Sequence, residues 1–118
     1  MLAFLLASCI NLPAQSTYGS IIGTVKDASG AAIPNAMVKL DDLDENNSRQ
    51  MRSDANGSYQ FLNVLPAHYN VVISQEGFDT FNANNVRLIA RQTLRIDATL
   101  QVGQTTQSVT VEGSSVGV

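Results

Sequence analysis

The chain contains few of the residues on which catalysis or covalent cross-linking depends. Its 118 residues include one cysteine, Cys9, one histidine, His68, and no tryptophan. A single cysteine excludes an internal disulfide. One cysteine and one histidine are also too few nitrogen and sulfur ligands for a zinc site. No serine stands in a nucleophile-elbow pattern. We therefore expect no catalytic residue, no metal and no cofactor, and interpret the protein as one that is not an enzyme.

The chain also lacks a strong excess of charge and a long apolar run. Charged residues make up 14% of the sequence and the formal net charge is −3, so no basic surface favours nucleic acid as a partner. No apolar stretch is long enough to cross a bilayer as a helix. The acidic residues are scattered except in one polar stretch, which we interpret as a solvated loop between two strands. This stretch contains Asp41, Asp42, Asp44 and Glu45.

Residues 1–14 have the composition of a secretory signal peptide. Met1–Ile10 is apolar, and the residues after it are small and polar. A signal peptide places a small residue at the cleavage point after its apolar region, so we predict cleavage after Ala14 and export of the protein. No lysine or arginine precedes the apolar region, which a start further upstream would explain.

The same segment permits a second interpretation. Leu6-Ala7-Ser8-Cys9 resembles a bacterial lipoprotein box, in which Cys9 becomes the lipidated first residue. A lipid on Cys9 would anchor the domain to a membrane leaflet. A small lipoprotein anchored through Cys9 is therefore an alternative.

After this segment the apolar residues recur with a period of two, which predicts β-strands. In Thr93–Gln101 the apolar residues are Leu94, Ile96, Ala98 and Leu100, and polar residues alternate with them. Such alternation is typical of antiparallel sheets with one buried face. We expect an all-β sandwich of about seven antiparallel strands. The other predicted strands are centred on Ile21–Val25, Ala36–Leu40, Tyr59–Phe61, Tyr69–Ile73 and Val109–Val111.

Turn residues separate the predicted strands. Asp27–Gly30 ends the first strand, with Gly30 suited to a positive φ, and Pro34 precedes the second. Asp54–Gly57 contains Asn-Gly, which predicts a tight hairpin turn. Pro66 and Gly77 mark later turns.

Four motifs, in order, resemble the carboxypeptidase regulatory-like domain. They are Gly23–Val38 (GTVKDASGAAIPNAMV), Asp54–Phe61 (DANGSYQF), Val64–Tyr69 (VLPAHY) and Glu76–Phe78 (EGF). The resemblance implies a transthyretin-like Greek-key sandwich in which the motif residues form turns and core and supply no chemistry. These residues are Asp27, Gly30, Pro34, Asp54, Gly57, Tyr59, Phe61, Pro66, Tyr69, Gly77 and Phe78. The sequence departs at Ala67, where the family has glycine; a positive φ there would strain alanine.

The end of the chain resembles a narrower group. Leu100–Gln104 (LQVGQ) and Gln107–Gly113 (QSVTVEG) are similar to the linker of Oar-like TonB-dependent outer-membrane receptors of acidobacteria. The resemblance implies a signal peptide over residues 1–14, the sandwich over 15–102, and a strand or linker over 103–118 that would lead to a plug domain. It also implies a location in the periplasm or at the outer membrane of a Gram-negative bacterium.

We therefore expect a non-catalytic structural or interaction module of the cell envelope. Its partner would be another protein or the rest of an outer-membrane receptor. The edge strands of the sandwich could bind that partner by accepting an added strand. A carbohydrate-binding accessory domain is the alternative, because aromatic side chains on a surface are typical of sugar sites. Tyr18 and Phe81 are the two aromatic residues that remain for such a platform once the core is assigned.

Overall fold

The computed structural model describes residues 16–103, which form eight β-strands and no helix. The predicted cleavage site after Ala14, the cysteine Cys9 and the predicted strand around Val109 lie outside these residues. In chain order the strands are β1 (Gly19–Asp27), β2 (Met37–Asp42), β3 (Asn47–Arg52), β4 (Ser58–Val64), β5 (Ala67–Ser74), β6 (Phe81–Leu88), β7 (Thr93–Arg95) and β8 (Ala98–Leu100).

The strands form two four-stranded sheets that pack face to face. The first sheet has the order β4-β1-β7, with β8 also paired to β1, and the second has the order β3-β2-β5-β6. The chain changes sheet between β1 and β2, β3 and β4, β4 and β5, and β6 and β7. The predicted all-β sandwich is confirmed.

The core lies between the sheets, where alternate residues of each strand point inward. Tyr59, Phe61 and Tyr69 are buried as predicted, and Phe78 packs partly against the core next to Gly77. The largest fully buried side chains are aliphatic: Ile21, Leu40, Ile73, Leu88, Leu100, Val25, Val38 and Val71. Burial of apolar side chains stabilises the sandwich by roughly 25 cal/mol for each Å² removed from water.

The predicted antiparallel strand Thr93–Gln101 differs in two ways from the structure. It forms two short strands, β7 and β8, and both pair with β1 in parallel. The break lies at Asp97, whose Oδ1 accepts the Thr24 N–H at 2.9 Å and the Thr24 hydroxyl at 3.0 Å. The Asp97 carboxylate thus binds the Thr24 N–H of β1 in place of a main-chain carbonyl. Side-chain alternation continues across the break, which is why the sequence pattern reveals neither the interruption nor the direction of pairing.

The turn at Asp54–Gly57 is correctly placed, but its interpretation as a hairpin is wrong. The strands that flank it, β3 and β4, belong to different sheets. The Asp54 N–H donates to the Ser58 carbonyl at 2.9 Å, and the Gly57 carbonyl accepts the Val25 N–H at 2.7 Å. The Asn-Gly turn reverses the chain locally, while its contact with β1 carries β4 into the other sheet.

Two strands, β3 and β6, were not predicted because they lack an apolar alternation. Five of the six β3 residues are exposed, and β3 lies at the edge of its sheet. In β6 the pairing with β5 shifts register near Asn85, which has a φ of 55° and donates its N–H to the Asn70 side chain. A bulge of this kind moves the inward positions by one residue and disrupts a period of two.

The motif glycines adopt the backbone geometry expected of them, and Ala67 is not strained. Gly30, Gly57 and Gly77 have φ values of 90°, 76° and 90°. Ala67 begins β5 with an ordinary negative φ. The departure from the family at Ala67 therefore has no cost in backbone conformation.

Gly23 permits the closest approach between β1 and the β7–β8 connection. A Cβ atom at Gly23 would lie 1.9 Å from the Ile96 carbonyl oxygen and 2.8 Å from the Tyr59 hydroxyl. The Ile96 N–H donates to the Ile22 carbonyl at 2.8 Å, and the Tyr59 hydroxyl donates to the Ile96 carbonyl at 2.5 Å. Only a residue without a side chain lets these groups meet.

We expect Gly23→Ala to destabilise the domain by about 3 kcal/mol, at the upper end of the range for overpacking. The added methyl group must displace a backbone carbonyl, which cannot rotate away as a side chain would. Urea unfolding followed by circular dichroism would measure the loss. Gly103→Ala is the matched control, because the nearest atoms there are at an ordinary 3.4 Å. Equal effects of the two substitutions would contradict the role given to Gly23.

Tyr59→Phe removes one hydroxyl and leaves the ring in the core. The Ile96 carbonyl then loses its donor, so we expect a loss of about 1–2 kcal/mol in the free energy of unfolding. Tyr18→Phe removes an exposed hydroxyl and should change stability by less than about 0.5 kcal/mol. Urea unfolding at neutral pH compares the two variants, and an unchanged midpoint for Tyr59→Phe would show that the hydrogen bond contributes nothing.

Tyr59 also makes the stability depend on alkaline pH. Burial, and then the nearby Asp97 carboxylate, raise the pKa of Tyr59 well above its usual range. Above a pH of about 10 the unfolded phenol ionises while the folded one keeps its proton, so the folded state binds more protons and stability falls as pH rises. We expect a smaller fall between neutral and alkaline pH in Tyr59→Phe. Parallel urea midpoints for both proteins across this range would contradict the assignment.

Candidate functional site

A cleft opens on the side of the sandwich where the edge strands β3 and β4 lie opposite each other. Its volume is about 330 Å³. The buried side chains Leu40, Val64 and Tyr69 line it from β2, β4 and β5. Polar residues of the β2–β3 turn, β3 and the end of β4 line the rest, together with Tyr18, which precedes β1. Within residues 16–103, no strand pairs β3 with β4, and the cleft between these two edge strands is open to solvent.

Arg49 of β3 spans the gap between the two edge strands. Its Nη2 donates to the Leu62 carbonyl at 3.0 Å and its Nη1 to the Asn63 carbonyl at 3.5 Å. Its Cζ lies 5.5 Å from the centroid of the Phe61 ring. The guanidinium thus covers a core ring, satisfies two carbonyls of β4 and forms one wall of the cleft.

Asp42 holds the β2–β3 turn in place from inside the molecule. It is the last residue of β2 and is 7% exposed. Its Oδ1 accepts the N–H groups of Asp44 and Glu45, each at 2.9 Å. The prediction of a solvated loop is therefore wrong for Asp41 and Asp42, which belong to β2, and holds for the exposed Asp44 and Glu45. A carboxylate that binds two backbone N–H groups fixes the position of Glu45 at the cleft.

Tyr69 lies on the floor of the cleft, close to negative charge. Its hydroxyl donates to the Leu65 carbonyl at 2.5 Å. Burial raises the pKa of Tyr69, and the Asp42 carboxylate raises it further. The phenol therefore stays protonated and remains a hydrogen-bond donor at neutral pH.

The two aromatic residues predicted for a ligand platform lie at opposite ends of the sandwich. Tyr18 is 47% exposed at the rim of the cleft. Phe81 begins β6 and packs partly against the core, beside Ile73. The structure therefore does not bring the two rings together, and most of the Phe81 ring serves the core. Tyr18 alone stands at a cleft.

The acidic motif residues of the two turns act on the backbone. Asp27 Oδ1 accepts the Ser29 hydroxyl at 2.6 Å and the N–H groups of Ser29 and Ala31. The Ser29 hydroxyl, and then the Ala31 N–H, lower the pKa of Asp27. Asp54 Oδ1 accepts the Asn56 N–H at 2.8 Å and the Ser58 N–H at 2.9 Å. These contacts support the turn role that the motif implied.

His68, the one histidine of the chain, lies in β5. Its N–H donates to Asp44 Oδ2 at 3.0 Å, and its Nδ1 lies 3.4 Å from the same oxygen. Within residues 16–103, no three histidine, cysteine, aspartate or glutamate residues are grouped closely enough to hold a metal ion. The same residues include no helix able to cross a membrane.

Three polar residues of the cleft had no signature in the sequence. Arg49, Asn47 and Asn63 lie outside the four motifs, and Asn63 adopts a φ of 56° that no neighbouring residue indicates. The signals that the sequence did contain were separate ones: Tyr18 as a candidate platform, the motif residue Tyr69, and the acidic stretch that contains Asp42 and Glu45. The sequence does not indicate which carboxylate of this stretch points inward. It therefore does not indicate that Asp42 supports the turn.

Solved structures with the same fold come from proteins of different kinds. The 3-chlorocatechol 1,2-dioxygenase of Rhodococcus opacus 1CP is 12% identical, with a TM-score of 0.60 over 75% of this chain and 62% of that chain. BcpA, the major pilin subunit of Bacillus cereus, is 17% identical, with a TM-score of 0.60 over 74% of this chain and 31% of that chain. A putative carbohydrate binding protein of Bacteroides uniformis is 16% identical, with a TM-score of 0.57 over 72% and 42%.

These similarities establish the fold alone, because function varies among proteins of one fold. The chain spans less than two thirds of the length of each of the three structures. No curated protein matches the sequence at a significant level.

The sequence itself is similar to one family over most of its length. Residues 20–101 match the carboxypeptidase regulatory-like domain. This range includes all four motifs and every strand from β1 to β8 except the first residue of β1. The chain therefore belongs to the carboxypeptidase regulatory-like domain family.

Proposed function

We propose that this domain is a non-catalytic module of the cell envelope that spaces and connects its neighbours, as the periplasmic N-terminal extension of a TonB-dependent outer-membrane receptor. One observation carries the proposal: the chain enters the sandwich at one end and leaves it at the other. A domain with this path holds the segments attached to its two ends at a fixed separation.

The path of the chain is defined by contacts at both ends. At the first end Gly19 begins β1, and the next N–H, that of Ser20, donates to the Gln92 carbonyl at 2.9 Å. At the other end the Gly103 N–H donates to the Gly77 carbonyl at 2.8 Å. The nine residues of β1 separate the two ends. At ~3.3 Å per residue the separation is about 30 Å.

The polar residues support a role without catalysis. The carboxylates of Asp27, Asp42 and Asp54 accept backbone N–H groups in turns. Such carboxylates are committed to the fold and are not poised to exchange protons with a substrate.

The receptor context rests on the sequence outside the described residues. Residues 1–14 resemble a signal peptide, and Gln107–Gly113 resembles the linker of Oar-like receptors. Both features favour a sandwich that lies between the point of export and a further domain. A small lipoprotein anchored through Cys9 is the competing arrangement.

We expect an antibody raised against residues 16–103 to detect a species much larger than 12.6 kDa in the outer-membrane fraction of native cells. The antibody should also label the domain in spheroplasts but not in intact cells, because the periplasm is sealed by the outer membrane. An immunoblot of fractionated cells with marker proteins for each compartment makes the measurement.

Two results would contradict the receptor context. A small soluble periplasmic species would mean that the domain acts by itself. A small membrane-bound species that becomes soluble in Cys9→Ser, and remains bound in the matched variant Ser8→Ala, would establish the lipoprotein instead.

A further inference from the structure

Beyond its role as a spacer, we propose that the cleft between β3 and β4 binds a short saccharide. The half-exposed ring of Tyr18, the carboxylate of Glu45 and the amides of Asn47 and Asn63 stand around one opening. This juxtaposition of an aromatic face with both donors and acceptors is the chemistry that a sugar ring requires.

The apolar part of the site is supplied by Tyr18 and Leu65. Both are about half exposed, and both line the cleft. A sugar ring has one face of C–H groups, which packs on an aromatic or aliphatic surface and removes that surface from water. Tyr18 precedes β1, and the neighbouring Thr17 carbonyl accepts the Arg91 N–H at 3.1 Å. The backbone next to the ring is therefore held in place before a ligand binds.

The polar part of the site matches hydroxyl groups, which both donate and accept hydrogen bonds. The Glu45 carboxylate accepts, and the amides of Asn47 and Asn63 both donate and accept. The Tyr69 hydroxyl on the floor already donates to the Leu65 carbonyl, so it can offer a ligand only its oxygen as an acceptor. The position of Glu45 is fixed because its N–H binds the buried Asp42 carboxylate. The backbone of Glu45 is therefore held before a ligand binds, whereas the exposed side chains of Glu45, Asn47 and Asn63 become ordered on binding.

The charges of the cleft argue against other classes of small ligand. Asp42 and Glu45 carry two negative charges, and Arg49 carries one positive charge that is engaged with β4 carbonyls. The net negative charge repels anions. A wholly apolar ligand would remove the polar groups from water without replacing their hydrogen bonds. A neutral polyhydroxyl compound satisfies both conditions.

The size of the cleft limits the length of the saccharide. Its volume of about 330 Å³ lies at the lower end of the range for ligand pockets, ~300–1,000 Å³. We therefore expect one or two sugar units to be bound. Since the cleft is open to solvent, the affinity should be weak, with a Kd of about 0.1–1 mM.

The test is a titration of the full ¹⁵N-labelled chain with maltose, cellobiose and N,N′-diacetylchitobiose, each followed by ¹H–¹⁵N NMR. We expect at least one of these sugars to shift the amide signals of Glu45, Asn47 and Asn63 in a saturable manner. Tyr18→Ala should weaken binding about tenfold or more, and Tyr18→Phe should stay within about twofold of the parent because the ring is kept. Val102→Ala is the matched control, since Val102 is an exposed apolar residue at the opposite end.

Asn47→Ala provides a second, independent variant on an exposed edge strand, and it should also weaken binding. Signals from β1 and β5 report in each variant whether the fold is kept. The proposal is overturned if none of the three sugars shifts these amides. It is equally overturned if the shifts centre on Phe81 and Val102, or if N-acetyl-lysine amide shifts the cleft signals and no sugar does.

Discussion

The contact between β1 and the β7–β8 connection is the constraint on which the rest of the first sheet depends. β1 is paired on one side with β4 and on the other with two short parallel strands. The parallel strands reach it only because Gly23 leaves room for the Ile96 carbonyl. The Tyr59 hydroxyl from β4 binds that same carbonyl. Ile96 thus binds β1 through its N–H group and β4 through its carbonyl oxygen.

Aspartate side chains complete the hydrogen bonding wherever the strands stop. Asp27, Asp42, Asp54 and Asp97 each accept main-chain N–H groups. Asp27 and Asp42 end their strands and bind the turns that follow, Asp54 binds the turn before β4, and Asp97 bridges the break between β7 and β8. Unpaired backbone N–H groups cost free energy when they leave water. These four carboxylates therefore stabilise the backbone where the strands end or are interrupted. They also explain why the acids are dispersed along the sequence.

The sequence indicated the class of fold because the inward positions of β1, β2, β5 and the β7–β8 region keep a period of two. It indicated the turns because Gly30, Gly57 and Gly77 need positive φ values that glycine permits. It did not indicate how strands pair, since alternation is the same in parallel and antiparallel ladders. The cleft was largely hidden for a related reason. Its residues come from β2, β3, β4 and β5, from the segments between them and from the segment before β1, and no sequence pattern indicates that they meet.

Arg49 changes what the edge strand β4 offers to another chain. Edge strands are templates on which other chains can extend a sheet and begin to aggregate. Because the Arg49 guanidinium occupies the Leu62 and Asn63 carbonyls, a foreign strand meets a positive charge where β4 would otherwise offer two acceptors. One long side chain, reaching across from the opposite sheet, thereby makes β4 a poorer template for an added strand at an edge that no strand of residues 16–103 covers.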